Sequence, residues 1–226
     1  MKRPAKPRKR RLSPAEAARV AEIFRRFETT FPDPRTELEY QSPYMLLVAV
    51  VLSAQATDKS VNKATEKLYA VAHTPQQMLA LGEAGLTPFI ASIGLFRMKA
   101  KNVIALSRLL VEQHGGEVPL QREALQALPG VGRKTASVVL NELGVEPAIA
   151  VDTHVFRVAH RLKLSKGRTP DEVERDLMQI VPDDGKTRAH HWLILHGRYV
   201  CVARKPKCAE CLVADLCPSR ELFLGA

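Results

Sequence analysis

One helix-start signal recurs along this chain, and no stretch alternates apolar and polar residues with the period of a strand. Ser13-Pro14-Ala15-Glu16 supplies an N-cap hydroxyl, a proline in the first turn and a capping-box glutamate. Thr74-Pro75-Gln76-Gln77 and Thr169-Pro170-Asp171-Glu172 repeat the arrangement, and Ser42-Pro43 and Thr87-Pro88 share its first half. Behind these caps lie runs such as 98–114, where Val103, Leu106 and Leu110 mark one face. Aromatic residues make up only 5% of a chain that is 46% hydrophobic, so the core is aliphatic, and its Ala and Leu runs favour helix over strand. The expectation is an all-α fold of roughly ten helices joined by short turns.

Charge points to a polyanionic partner but is unevenly placed. Lys2, Arg3, Lys6, Arg8, Lys9, Arg10 and Arg11 carry most of the formal net charge of +10, with no acid among them. Residues 1–12 read as a basic, disordered tail that strengthens nucleic-acid binding without reading sequence. No apolar stretch follows this basic start, so a secretory signal is not expected. The longest apolar run, Met45 to Leu52, is far short of the ~20 residues of a membrane helix, so the expectation is a soluble intracellular protein.

Three stretches carry chemistry. In Leu128-Pro129-Gly130-Val131-Gly132-Arg133-Lys134-Thr135-Ala136, two glycines join a short helix (Gln121 to Leu128) to a second (Lys134 to Leu143). Such a turn aims unpaired N–H groups outward, which suits a phosphate oxygen and grips DNA without reading sequence. An ordinary helix–turn–helix corner remains open as the plainer reading. Lys134 lies just inside the second helix, a place normally unfavourable for a cation. It is either a nucleophile or a surface lysine contacting phosphate or water.

In Ile149-Ala150-Val151-Asp152-Thr153-His154-Val155-Phe156-Arg157, Asp152 precedes an amphipathic helix. It reads as an N-cap and also as a rigidly held carboxylate able to handle protons or steady positive charge, and these roles are compatible. His154 reads as a packed or hydrogen-bonded histidine. The third stretch is Cys201-x6-Cys208-x2-Cys211-x5-Cys217, which contains every cysteine of the chain. Four-cysteine zinc sites usually pair two C-x2-C knuckles ~15–20 residues apart, and here one knuckle is flanked by single cysteines. A [4Fe–4S] cube takes one thiolate per iron and tolerates the unequal spacing, so the cluster is favoured over zinc while both stay open.

With LPGVGRKTA, VDTH and the cysteine spacing in this order, the sequence resembles the endonuclease III family from about Ser13 to its end. Leu52-Ser53-Ala54-Gln55-Ala56-Thr57-Asp58, Val61-Asn62-Lys63-Ala64-Thr65, His191-Trp192-Leu193-Ile194-Leu195-His196-Gly197-Arg198 and Ala203-Arg204-Lys205-Pro206 agree with it. The resemblance implies two helical lobes with the active site in the cleft between them. One is a six-helix barrel at 36–146 holding the helix–hairpin–helix, and the other joins 13–35 to 147–226 and holds a [4Fe–4S] cluster. It implies a monomeric, bacterial, nucleoid-associated enzyme acting on double-stranded DNA that contains damaged pyrimidines or abasic sites. Such an enzyme is a bifunctional DNA N-glycosylase and AP lyase of base excision repair.

The family's nucleophilic lysine falls on Lys134, its catalytic aspartate on Asp152 and its cluster ligands on Cys201, Cys208, Cys211 and Cys217. DNA contacts are implied for Gly130, Val131, Gly132, Arg133 and Thr135 of the hairpin and for Arg204, Lys205 and Lys207 of the basic loop. Gln55 falls where the gap left by the flipped nucleotide is filled, and Leu95 on the apolar wedge, with Ile93 assisting. Phe96-Arg97-Met98 departs from the family, where a tyrosine and smaller polar residues are common. Two alternatives remain: an adenine mismatch glycosylase, which generally lacks the lysine and carries a further C-terminal domain, and a non-catalytic DNA-binding module with structural zinc.

Overall fold

The computed structural model describes residues 12–223; the seven basic residues from Lys2 to Arg11 lie outside them. The described residues hold ten α-helices and four short 3-10 turns, with no strand among them. No helix among them is long and apolar enough to cross a membrane. They divide into two compact units, residues 36–147 and residues 12–35 with 148–223.

The unit of residues 36–147 contains α2 (Pro43–Leu52), α3 (Asp58–Tyr69), α4 (Pro75–Ile90), α5 (Phe96–His114), α6 (Arg122–Gln126) and α7 (Arg133–Glu142). Helix α2 is apolar on every side and buried from Tyr44 to Leu52, as a helix at the centre of a core must be. Its few polar atoms are satisfied: the Tyr44 hydroxyl lies 2.6 Å from Ser107 Oγ, and the Tyr69 hydroxyl donates to Met45 O at 2.6 Å. Burial raises the pKa of both tyrosines. Lys99, on the inward side of α5, is the odd group in this core. It is 4% exposed, its Nζ has no hydrogen-bond partner among the described residues, and burial lowers its pKa.

Most cap signals act as the sequence predicts. Ser13, Thr74 and Thr169 form capping boxes with Glu16, Gln77 and Glu172, and Ser42 Oγ accepts from Met45 N. Thr87-Pro88 differs: Pro88 lies inside α4, and the break falls earlier, at Gly82 (φ 65°, ψ 176°). Thr87 Oγ1 donates to Glu83 O at 2.7 Å instead of capping the next turn. That back-bond draws the hydroxyl away from the cap position.

The other unit contains α1 (Pro14–Thr30), α8 (Thr153–Arg161), α9 (Pro170–Ile180) and α10 (Lys186–Tyr199), with 3-10 turns at Asp183–Gly185, Cys208–Glu210, Ala214–Leu216 and Arg220–Phe223. Its core gathers Phe24, Phe27, Val155, Leu177 and Trp192, and Trp192 Nε1 donates to Phe31 O at 2.7 Å. Two arginines of α1 join it to distant parts of the chain. Arg19 donates to Leu162 O and Leu216 O, and Arg26 donates to Leu212 O and pairs with Asp215 at 2.6 Å. Charge-assisted bonds to backbone carbonyls hold the cysteine-bearing segment, whose Val213 is buried in the same core with Leu212 and Leu216 packed against it.

Candidate functional site

Helices α6 and α7 flank the glycine turn, and Arg122 of α6 locks them together by donating to Ser137 Oγ at 2.8 Å and pairing with Glu146 at 3.0 Å. Val131 N donates to Leu128 O at 3.1 Å, closing the turn. Gly130 is required there: its φ is +80°, and a Cβ would stand 3.0 Å from Asn102 Cβ. Gly132 is extended (φ −84°, ψ 178°) and precedes α7 with no side-chain cap hydrogen bond. The first-turn amides of a helix have no partner inside the helix, and Gly132 brings no capping side chain to them. Gly132, Arg133 and Lys134 are exposed in this turn, and Thr135 is half-buried. Val131 is only 5% exposed and its side chain joins the core, so backbone alone is presented at that position.

A second pair of loops lies in the same unit. Gln55 follows α2 with φ 56°, and Leu95 precedes α5 with φ 60°. Only one other non-glycine described residue, Lys163, has positive φ. A bulky residue held there costs of order 1–3 kcal/mol, and such strain concentrates at functional sites. The two loops meet, since a Cβ on Gly94 would lie 3.8 Å from Gln55 O. Gln55 is exposed and Leu95 is 52% exposed. Ile93 departs from the sequence expectation of a DNA-contacting assistant: it is 2% exposed and packed in the core, so it anchors the loop from below.

Asp152 caps α8. Its Oδ1 accepts from His154 N and Val155 N, both at 2.8 Å, leaving Oδ2 with no hydrogen bond among the described residues. His154 pairs through Nδ1 with Arg157 at 3.2 Å and packs over Gly197, whose absent Cβ would lie 2.9 Å from His154 Cβ. From the same face of α8, Arg157 donates to Cys201 O at 3.0 Å and Gly197 O at 2.8 Å. Arg161 donates to Val202 O at 2.7 Å and Ala203 O at 2.8 Å, with Cys201 Sγ at 3.4 Å. Sequence reasoning assigned no role to these arginines. The spacing of His154, Arg157 and Arg161 at three and four residues is the polar stripe that marks them.

The four cysteine thiols, all half-buried, line one recess together with Arg161, His196 and Pro206. Among the described residues no three His, Cys, Asp or Glu side chains converge as ligands of one ion. Thiolates on a tetrahedral zinc ion, with Zn–S about 2.3 Å, would stand roughly 3.8 Å apart. Thiols spread around a recess suit a cage of several irons, each taking one sulfur. Burial pushes the Cys211 thiol up to about 11 and raises that of Cys217, and a bound iron centre would favour their thiolate form. His196 Nε2 lies 3.7 Å from Cys211 Sγ, and burial lowers the imidazole to about 4, so it stands beside the sulfurs as a neutral ring. Arg204, Lys205 and Lys207 project from the loop between Cys201 and Cys208 and are exposed.

Residues 48–183 match the HhH-GPD superfamily of base excision DNA repair proteins, the class that this hairpin and its helical setting define. Residues 201–217 match the iron–sulfur binding domain of endonuclease III. The chain is 57% identical over 200 residues to endonuclease III of Haemophilus influenzae, covering 88% of this chain and 95% of that one. It is similar to a solved non-covalent endonuclease III–DNA complex (TM-score 0.88, 40% identity, 96% of this chain and 100% of that one). It is similar also to a trapped endonuclease III–DNA covalent intermediate (TM-score 0.86, 41% identity, 94% and 99%). The chain belongs to the endonuclease III family. It is a DNA-binding glycosylase and AP lyase of base excision repair with a [4Fe–4S] cluster, and the adenine-glycosylase and zinc-module alternatives give way.

Proposed function

We propose that this enzyme excises oxidised pyrimidines from duplex DNA, with Lys134 as nucleophile and Asp152 as the assisting carboxylate. The observation that carries the reading is the start of α7, where an exposed amine stands in the first turn of a helix whose N-cap, Gly132, brings no side chain to the first-turn amides. Those amides suit a phosphate oxygen and would seat the sugar–phosphate backbone beside the amine. The damaged nucleotide leaves the stack at a cost of a few kcal/mol, less for a base such as thymine glycol that has lost planarity and stacks poorly. Lys134 Nζ attacks the sugar C1′ as the glycosidic bond breaks towards the base, which leaves with a proton; the C1′–O4′ bond then opens, O4′ taking up the proton that the amine loses, and a Schiff base remains. Asp152, held through Oδ1, keeps Oδ2 for the positive charge developing at the sugar or for a proton. Loss of a C2′ proton then expels the 3′ phosphate, and hydrolysis of the imine frees the enzyme.

In this reading Gln55 fills the gap, Leu95 is the wedge, and the exposed Arg204, Lys205 and Lys207 meet phosphates. Gly130, Val131, Gly132, Arg133 and Thr135 form the hairpin grip, Val131 through its backbone. Cys201, Cys208, Cys211 and Cys217 hold the cluster, which supplies a cross-link for the loop bearing the three cations. Residues 36–146 form the lobe of the hairpin, and 13–35 with 147–226 the lobe of the cluster. The enzyme works as a monomer in the bacterial cytoplasm, on the nucleoid.

Borohydride trapping tests the assignment, since only an amine forms a reducible imine. Lys134→Ala is expected to lose both the trapped adduct and base release while still binding an abasic-site analogue through the hairpin amides. Lys134→Arg keeps the charge but not the nucleophile, so it should fail in the same way. Trapping at the wild-type rate in Lys134→Ala would give the nucleophile's role to another amine.

A further inference from the structure

The loop that opens α5 exposes more apolar surface than a single wedge needs. Met98 is 60% exposed, beside Leu95 at 52%, with exposed Arg97 between them. Isolated exposed apolar residues are ordinary. Two within one helical turn are another matter, and the fold does not call for them. The inward side of the turn is already filled by Ile93, Lys99 and Ala100. Helix α5 also has no side-chain cap, and its N-cap Leu95 is held at positive φ against the Gln55 loop. The Arg97 guanidinium rests 5.6 Å from the centre of the Phe96 ring, which keeps the cation beside the two apolar side chains. Residues 92–102 contain no acid, so nothing on this loop repels a phosphate backbone.

We propose that Met98 is a second wedge residue, which packs beside Leu95 against the base left unpaired on the strand opposite the lesion. This rests on the reading of Leu95 as the wedge. Base faces are flat and apolar, and an unbranched thioether adapts to whichever base it meets. Leu95 parts the stack, and Met98 shields the orphaned base from water once its partner has left. A flexible cover of this kind makes excision tolerant of the opposite base, so selectivity comes from the lesion itself.

The test compares wild type, Met98→Ser, Met98→Leu and Leu95→Ala on duplexes carrying thymine glycol opposite each of the four bases, and on duplexes with an abasic site. Single-turnover rates are read together with 2-aminopurine fluorescence from the opposite position. Since half of the Met98 side chain is newly covered, Met98→Ser should lose about tenfold in excision opposite every base. Its loss at the abasic site should be much smaller, because no base need be extruded there, and its fluorescence response should be reduced. Met98→Leu should restore most of both signals. Met98 is exposed, so unchanged melting temperatures are expected and keep the comparison free of folding effects. A Met98→Ser enzyme that matches wild type while Leu95→Ala loses activity overturns the second wedge and leaves the first standing. Equal losses on both substrates also overturn it, and two silent variants overturn the wedge reading of the whole loop.

Discussion

Helices α7 and α8 begin in opposite ways, the one after a glycine and the other after a carboxylate. At the start of α8 the carboxylate of Asp152 takes two amides at 2.8 Å, so the cap is closed and one carboxylate oxygen is fixed in place. At the start of α7 Gly132 offers no side chain to cap the helix. Five other helices follow the closed pattern, with Ser13, Ser42, Thr57, Thr74 and Thr169 as caps. Within residues 36–147 the two long helices without a side-chain cap, α5 and α7, are those preceded by the Leu95 loop and the glycine turn. A missing cap forgoes about 1 kcal/mol of helix stability, and the short α6 and, in the other unit, α10 go without one too.

The largest effect that would sharpen this contrast is at Asp152. Asp152→Asn retains a capping side chain and should leave melting temperature and DNA affinity near wild type, while base release slows by about 10²-fold. Asp152→Ala should show the same kinetic loss plus about 1 kcal/mol of lost stability, measured by thermal or denaturant unfolding. A kinetic loss in Asp152→Asn no larger than a few-fold would reduce Asp152 to a cap.

Next in size is the attempt to close the open helix. Gly132 has ordinary extended backbone, and a Cβ there would meet nothing within 4 Å. Gly132→Asp should therefore fold normally and gain a few tenths of a kcal/mol as a proper N-cap. It should also weaken duplex binding by about tenfold or more, because a carboxylate replaces phosphate on the amides. Stability and affinity moving together would break the comparison. Gly130→Ala is the control in the same turn: with φ +80° and Asn102 at 3.0 Å, it should cost about 1–2 kcal/mol in stability.

The smallest effect concerns charge without geometry. Deleting residues 2–11 should weaken binding modestly and flatten its salt dependence, by about 0.9 in the log–log slope for each phosphate that the tail neutralises. Single-turnover chemistry should hold. An unchanged slope would mean that the tail does not touch DNA and that the open amides and the loop cations carry the affinity alone.

Much of the molecule was legible because its signals are local. A cap at Thr169, its proline and Glu172 lie within one turn, and Cys201 to Cys217 close on one recess because few residues separate them. The same holds for Asp152, whose cap is decided by residues two and three positions later. What the sequence left undecided was which side chains face inward, since that depends on partners far along the chain. Ile93 and Val131 stand in motifs that suggest contact with DNA, and packing against the core of residues 36–147 withdraws both side chains. Arg19 and Arg26 of α1 find their partners Leu216 O and Asp215 only in the folded chain. In α5 the charged Lys99 is buried and the apolar Met98 is exposed. Periodicity fixes which residues share a helical face, and only tertiary packing selects the face that meets water.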